Sequence, residues 1–311
     1  MQTLSKLGLP YGFNYVAAFL TMQCQLNCKY CINSNDESES RKDLFNHRNT
    51  LPSTEWVKII NRIPVREDLP ITLQGGEPLL YKDIGEILIH TPHWYDLLTN
   101  LPLSAAKMAQ RLNFADYKFK RTSPYPSIRV SYHPGQNDIN DLLEICKYLR
   151  NFGFSVSSNK AKSDVGIWMI AHPDNEVPDI KSDVYFELKE FLGVHKGVTY
   201  GTYKYPRSID MPKTVKCECK TSELLIDPLG QVFQCHAYLY NHWMGKKGFN
   251  PIGSMLDPEF NMGVVDQFRL CLNYGQCSPC DTKLKNNRLQ EFGHASVTIR
   301  NIIWEDSCKK S

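Results

Sequence analysis

At 311 residues the chain has room for one large α/β domain or two smaller ones. Its 42% hydrophobic and 22% charged residues are the proportions of a folded globular protein and exclude extended disorder, and a net charge of +3 is too small to argue for a nucleic-acid or membrane partner. No apolar run approaches the roughly 20 residues that span a bilayer and no signal-peptide core opens the chain, so a cytoplasmic protein is expected, in which eleven cysteines argue for metal ligation rather than disulfides.

Residues 1–15 read as an extended lead-in containing Gly8, Pro10 and Gly12. Val16–Met22 is an apolar run of strand length that ends at Cys24, Cys28 and Cys31, three cysteines within eight residues. Three soft sulfurs on one loop grip one small centre, either zinc or an iron–sulfur cluster. Structural zinc needs a fourth ligand, and the next histidine, His47, lies beyond a polar run. A [4Fe–4S] cluster on three thiolates leaves one iron open, which is a catalytic arrangement.

Further along, Ser53 caps a helix to about Arg62 whose buried stripe is Trp56, Ile59 and Ile60. Leu69–Leu73 is a second strand, followed by Gly75-Gly76-Glu77-Pro78, where glycines let backbone approach a ligand and the proline stiffens the exit. A helix over Tyr81–Ile89 leads to a third strand, Tyr95–Thr99, ending in Thr99-Asn100. Ser104–Leu112 is helical, Ser127–Tyr132 is a fourth strand, and Asp138–Phe152 is a helix with Cys146 on its apolar stripe. Val165–Ala171, a helix over Ser182–Leu192 and a strand over Val198–Tyr203 complete six βα units. The fold class is therefore α/β, a partial (β/α)6 parallel barrel with its chemistry at the C-terminal strand ends.

The Cys-x3-Cys-x2-Cys spacing, with Tyr30 just before the last cysteine, resembles the radical S-adenosylmethionine (SAM) superfamily. The resemblance implies that Cys24, Cys28 and Cys31 hold a [4Fe–4S] cluster that binds SAM, that the Gly75, Gly76, Glu77 and Pro78 segment fixes the SAM amine, and that Thr99 and Asn100 lie near the cofactor. It places Ser131 and His133 near the ribose and Ile170 against the adenine. It also implies an electron donor such as flavodoxin or ferredoxin.

Seven of the eleven cysteines fall after Met211-Pro212, at 217, 219, 235, 271, 277, 280 and 308. Leu224–Cys235 reads as a β-hairpin turning at Asp227–Gly230, which brings Cys219 and Cys235 together, and Cys277-Ser-Pro-Cys280 is a tight knuckle. Spacing alone suits structural zinc equally well. Cys-x10-Gly-x4-Cys followed by Cys-x2-Cys resembles the auxiliary-cluster extensions called SPASM and Twitch, and the shorter Twitch form implies a second [4Fe–4S] cluster on Cys219, Cys235, Cys277 and Cys280. Cys217 competes with Cys219 as first ligand, Cys271 is a possible substitute, and Cys308 is expected to be free. The domains expected are residues 1–15 as an extension, 16–210 as the barrel and 211–311 as a small hairpin and helix domain for the auxiliary cluster.

The implied activity is reductive cleavage of SAM and hydrogen abstraction from a substrate by an oxidoreductase or epimerase. Only 23 residues precede Cys24, which leaves no room for a leader-peptide-binding domain and favours a small, sugar-like substrate over a ribosomal peptide. The non-enzymatic alternative is a zinc-binding interaction protein that uses both cysteine sets structurally.

Overall fold

The computed structural model describes residues 4–31, 49–284 and 295–304. Six strands, β1 (Tyr15–Thr21), β2 (Ile71–Gly75), β3 (Tyr95–Thr99), β4 (Ile128–Tyr132), β5 (Val165–Ala171) and β6 (Tyr185–Glu190), lie side by side in chain order, all parallel. Helices α1 (Ser53–Ile60), α2 (Ile84–Ile89), α3 (Ala105–Arg111) and α4 (Ile139–Tyr148) fall in the crossovers between them. The fold is thus α/β with a large, mostly parallel sheet, an arrangement compatible with a partial barrel.

Strand alternation decides which face each side chain covers. Val16, Ala18 and Leu20 of β1 join Trp56, Ile59 and Ile60 of α1, Ile84 and Ile87 of α2, Met108 of α3 and Leu142 and Cys146 of α4 in one buried cluster. Cys146 is the core residue its stripe predicts. Ala17 and Phe19 point the other way, into a second cluster with Leu239, Tyr240 and Trp243 of α5 (His236–Trp243).

Two expectations fail between residues 182 and 203. The segment read as a helix over Ser182–Leu192 is the sixth strand of the sheet, paired with β5 from Gly166↔Tyr185 to Ala171↔Glu190. An open edge on a buried parallel strand leaves unpaired backbone groups, and this aromatic-rich stretch supplies the partner, overriding the helical spacing of Val184, Leu188 and Phe191. The segment read as the sixth strand, Val198–Tyr203, contains only a short strand, β8 (Val198–Tyr200), which pairs with β7 (Gly193–His195) as a separate antiparallel hairpin.

After residue 210 the chain builds a three-stranded antiparallel sheet in the order β13 (Arg269–Tyr274), β9 (Val215–Thr221), β14 (Val297–Ile303). The hairpin expected over Leu224–Cys235 is present as β10 (Glu223–Ile226) and β11 (Gln231–Phe233), with Gly230 in the left-handed region at φ +76°. It extends the large sheet, since β10 pairs parallel with β1 and β11 pairs antiparallel with β12 (Gly253–Ser254). The fully buried Arg62 guanidinium ties the N-terminal arm to the C-terminal region, donating to Ser5 O at 2.9 Å, Met255 O at 2.7 Å, Asp257 O at 2.8 Å and Phe260 O at 2.7 Å. Among the described residues no helix is long and apolar enough to cross a membrane. Cys308 lies outside them.

Candidate functional site

The Cys24–Cys31 loop leaves β1 at its C-terminal end, the edge where parallel α/β sheets place their chemistry. Its anchor is the backbone of the Gly75-Gly76 turn: Gly76 N–H donates to Thr21 O at 2.8 Å and Glu77 N–H to Gln23 O at 2.7 Å. A Cβ at Gly75 would sit 2.0 Å from Thr21 O, and one at Gly76 would sit 2.2 Å from Gln23 O and 2.4 Å from Met22 O. The glycines are therefore required for contact between the turn and the cysteine loop, a reason independent of any ligand.

Glu77 is fully buried and faces the protein. Leu79 N–H and Thr99 Oγ1–H donate to its Oε1 at 2.9 and 2.7 Å, and Asn100 N–H donates to Oε2 at 2.6 Å. Burial raises its pKa to about 7. This carboxyl ties the end of β2 to the end of β3, and Pro78, also buried, opens the short 3₁₀ turn that follows. From there Asn100 reaches the cysteine loop, its Nδ2 donating to Cys24 Sγ at 3.5 Å and its Oδ1 accepting from Gln25 Nε2. Cys31 N–H closes a turn onto Cys28 O at 3.2 Å. Burial pushes the Cys24 thiol up to about 12, so a bound cation would be needed to stabilise its thiolate.

Tyr30 stands over the ends of β4 and β5. His133 and His172, each in a His-Pro pair directly after its strand, bring their rings to 5.9 and 5.1 Å from the Tyr30 ring, and His172 is stacked on it at 23°. Burial holds the His133 imidazole neutral, with a pKa lowered to about 4, and its Nδ1 has no hydrogen-bond partner. Ser131 and Ile170 occupy neighbouring strand ends on one face, Ser131 being paired with Trp168, two residues before Ile170. Asn137 locks this edge by accepting from His133 N–H at 2.8 Å and donating to Ser131 O at 3.0 Å. Gln136 accepts from Asn27 N–H at 3.0 Å. Sequence reasoning missed Gln25, Gln136, Asn137 and His172; the repeated His-Pro at successive strand ends was the available signal for the last.

The second cysteine set converges on a buried cavity between the small sheet and α5. Cys217, Cys219, Cys235, Cys271 and Cys277 all line it, and Asp281 stands beside them. Cys217 and Cys219 share one face of β9, because residues two apart in a strand point the same way, and Cys271 sits directly opposite Cys217 on β13. The choice between Cys217 and Cys219 thus becomes a place for both. Cys235 comes from the N-cap of α5 and Cys277 from the turn before α6 (Pro279–Thr282). Cys280, grouped by spacing with Cys277, is not part of this lining and lies within electrostatic reach of Tyr15, Tyr203 and Tyr240.

Burial raises the Cys219, Cys235 and Cys277 thiols, whereas the neighbouring Cys217 thiol brings the Cys271 thiol down. Asp281 caps α5, accepting from His236 N–H at 3.0 Å and Ala237 N–H at 3.2 Å. A buried pocket lined by five soft donors suits a thiophilic metal centre and offers one thiol more than a four-ligand centre needs.

No family model matches the chain. Over 100 residues it is 38% identical to the 7-carboxy-7-deazaguanine synthase of Methanothermobacter thermautotrophicus, a match that takes in 31% of this chain. The chain spans 38% of that relative's length.

Proposed function

We propose that this protein is a radical SAM enzyme in which Cys24, Cys28 and Cys31 hold a SAM-binding [4Fe–4S] cluster. The observation that carries the reading is the cysteine loop bonded through its backbone to the Gly75-Gly76 turn at the C-terminal edge of a parallel sheet. When bound, these groups supply reductive cleavage of SAM to methionine and a 5′-deoxyadenosyl radical that removes hydrogen from a substrate. The chain's own residues bind and orient. The Gly75-Gly76 backbone would hold the SAM amine, with Glu77, Thr99 and Asn100 keeping that backbone and Cys24 in register. Tyr30 and His133, with Ser131 and Ile170 at the same edge, would receive the adenosyl group, and a neutral His133 would offer it hydrogen bonding without charge.

Residues 16–210 form the SAM-binding unit in this reading, and residues 211–311 carry an auxiliary [4Fe–4S] cluster drawn from Cys217, Cys219, Cys235, Cys271 and Cys277. A second cluster favours net oxidation, with an electron leaving the substrate, over epimerisation. The name of the relative favours a small molecule over a peptide and sets a nitrogen heterocycle beside a sugar as the substrate class. The test is replacement of Cys24, Cys28 and Cys31 together by Ala: anaerobic protein given dithionite and SAM should cease to form 5′-deoxyadenosine, and continued formation refutes the proposal.

A further inference from the structure

A group of side chains that the preceding reading does not use lies beside Tyr30. His172 follows β5, Asp174 stands two residues on, and His195 ends β7 of the small hairpin; one ligating atom from each lies within 4.8 Å of the others. We propose that His172, Asp174 and His195 bind a divalent transition-metal cation, zinc or a close analogue, at the C-terminal strand ends of the large sheet. The site stands on its own residues whether or not the chain cleaves SAM.

The donor set is two imidazoles and one carboxylate, which suits zinc, iron(II) or cobalt(II) better than magnesium or calcium. Ligand atoms on tetrahedral zinc lie roughly 3.4 Å apart, given Zn–N and Zn–O distances of about 2.0–2.1 Å. His195 Nε2 lies 3.2 Å from Asp174 Oδ1, and since the three ligand atoms are within 4.8 Å of one another, His172 must close by at most about 1.4 Å.

The rings are held in place before any ion arrives. His172 is stacked on Tyr30 at 5.1 Å and meets the edges of Phe191 at 4.7 Å and His195 at 4.6 Å, which restricts its rotamers as a preorganised ligand requires. An ion must displace the hydrogen bond between His195 Nε2 and Asp174 Oδ1, the 3.2 Å bond from Asp174 N–H to His172 Nδ1, and Lys196 Nζ, 2.9 Å from Asp174 Oδ1. The Lys196 pair is largely exposed on both sides and therefore weak, and the lysine can swing into solvent. Three protein ligands leave coordination positions for water or for oxygen and nitrogen atoms of a substrate. His172 is stacked on Tyr30, the residue next to Cys31, which sets the site beside the residues proposed to hold SAM.

The experiment uses the full chain, anaerobically reconstituted with iron and sulfide and then freed of loose metal by gel filtration. Zinc is added, and its stoichiometry, affinity and X-ray absorption first shell are measured beside iron content and 5′-deoxyadenosine formation. One zinc per chain with a nitrogen and oxygen shell is expected. Asp174→Asn and His195→Asn, both at partly exposed positions, should each weaken it by about a hundredfold or more without lowering the iron. Zinc held by sulfur alone, zinc retained equally by both variants, or no zinc retained overturns the proposal. Failure of the SAM reading would appear separately, in the iron and 5′-deoxyadenosine measurements.

Discussion

A single added methyl group at residue 76 tests how the cysteine loop is held. In Gly76→Ala the new Cβ would fall 2.2 Å from Gln23 O, and side-chain carbons essentially never approach closer than 3.0 Å, so the Gln23 carbonyl must retreat by most of an ångström. That carbonyl belongs to the residue before Cys24 and accepts the Glu77 N–H bond. Overpacking against backbone costs about 1–3 kcal/mol, and losing the Gly76–Thr21 and Glu77–Gln23 bonds costs about 1 kcal/mol or more each. A loss of roughly 3–5 kcal/mol corresponds to a fall in Tm of the order of 10 °C for a chain of this size. A displacement near 1 Å at Cys24 should lower the iron retained by the first cluster and cut SAM cleavage by about a hundredfold. Iron content, thermal unfolding and 5′-deoxyadenosine formation are measured on the same reconstituted samples. Unchanged Tm and iron with a selective loss of SAM affinity would refute the packing argument and leave the glycine with a purely ligand-binding role.

Other expectations follow from the same geometry. The raised pKa of Glu77 keeps an extra proton on the folded state between about pH 4.5 and 7, so its contribution to stability falls as pH rises through that window. The lowered pKa of His133 does the opposite, since between about pH 4 and 6.5 the unfolded state binds the extra proton and stability rises with pH. Glu77→Gln should therefore steepen the rise of urea midpoint with pH between 5 and 6.5, and His133→Phe should flatten it; the reverse pattern would reject these assignments. Cys280→Ser should retain the roughly eight irons of two four-iron clusters, while Cys217→Ser combined with Cys219→Ser and Cys271→Ser, leaving two thiols on the cavity, should fall to about half; halved iron in Cys280→Ser would return the ligand set to the Cys277–Cys280 knuckle. Arg62→Met strands backbone carbonyls at Met255, Asp257 and Phe260 and should lower stability by about 3 kcal/mol or more, read as a lower Tm; a shift under about 2 °C would show that these carbonyls find other donors.

Much of the site is local and was legible in the chain. Cys24, Cys28 and Cys31 share one loop at any tertiary arrangement, and the apolar run before them and the apolar run Val165–Ala171 mark β1 and β5 without reference to the rest of the fold. The turn ending at Gly230 likewise follows from a residue that tolerates positive φ. Face and register are not local. Whether residues 185–190 form helix or strand was decided by the free edge of β5, and the hairpin of β10 and β11 found its place because β1 had a second edge to pair. The five thiols of the cavity come from a strand face, a facing strand, a helix cap and a turn, separated by up to 60 residues, from 217 to 277. Cys280 is three residues from Cys277 yet outside that lining, because the short helix α6 turns it away. Spacing can show that two cysteines are near in sequence, but which of them faces a shared centre depends on strand register and helix rotation, and these are set by packing against distant segments.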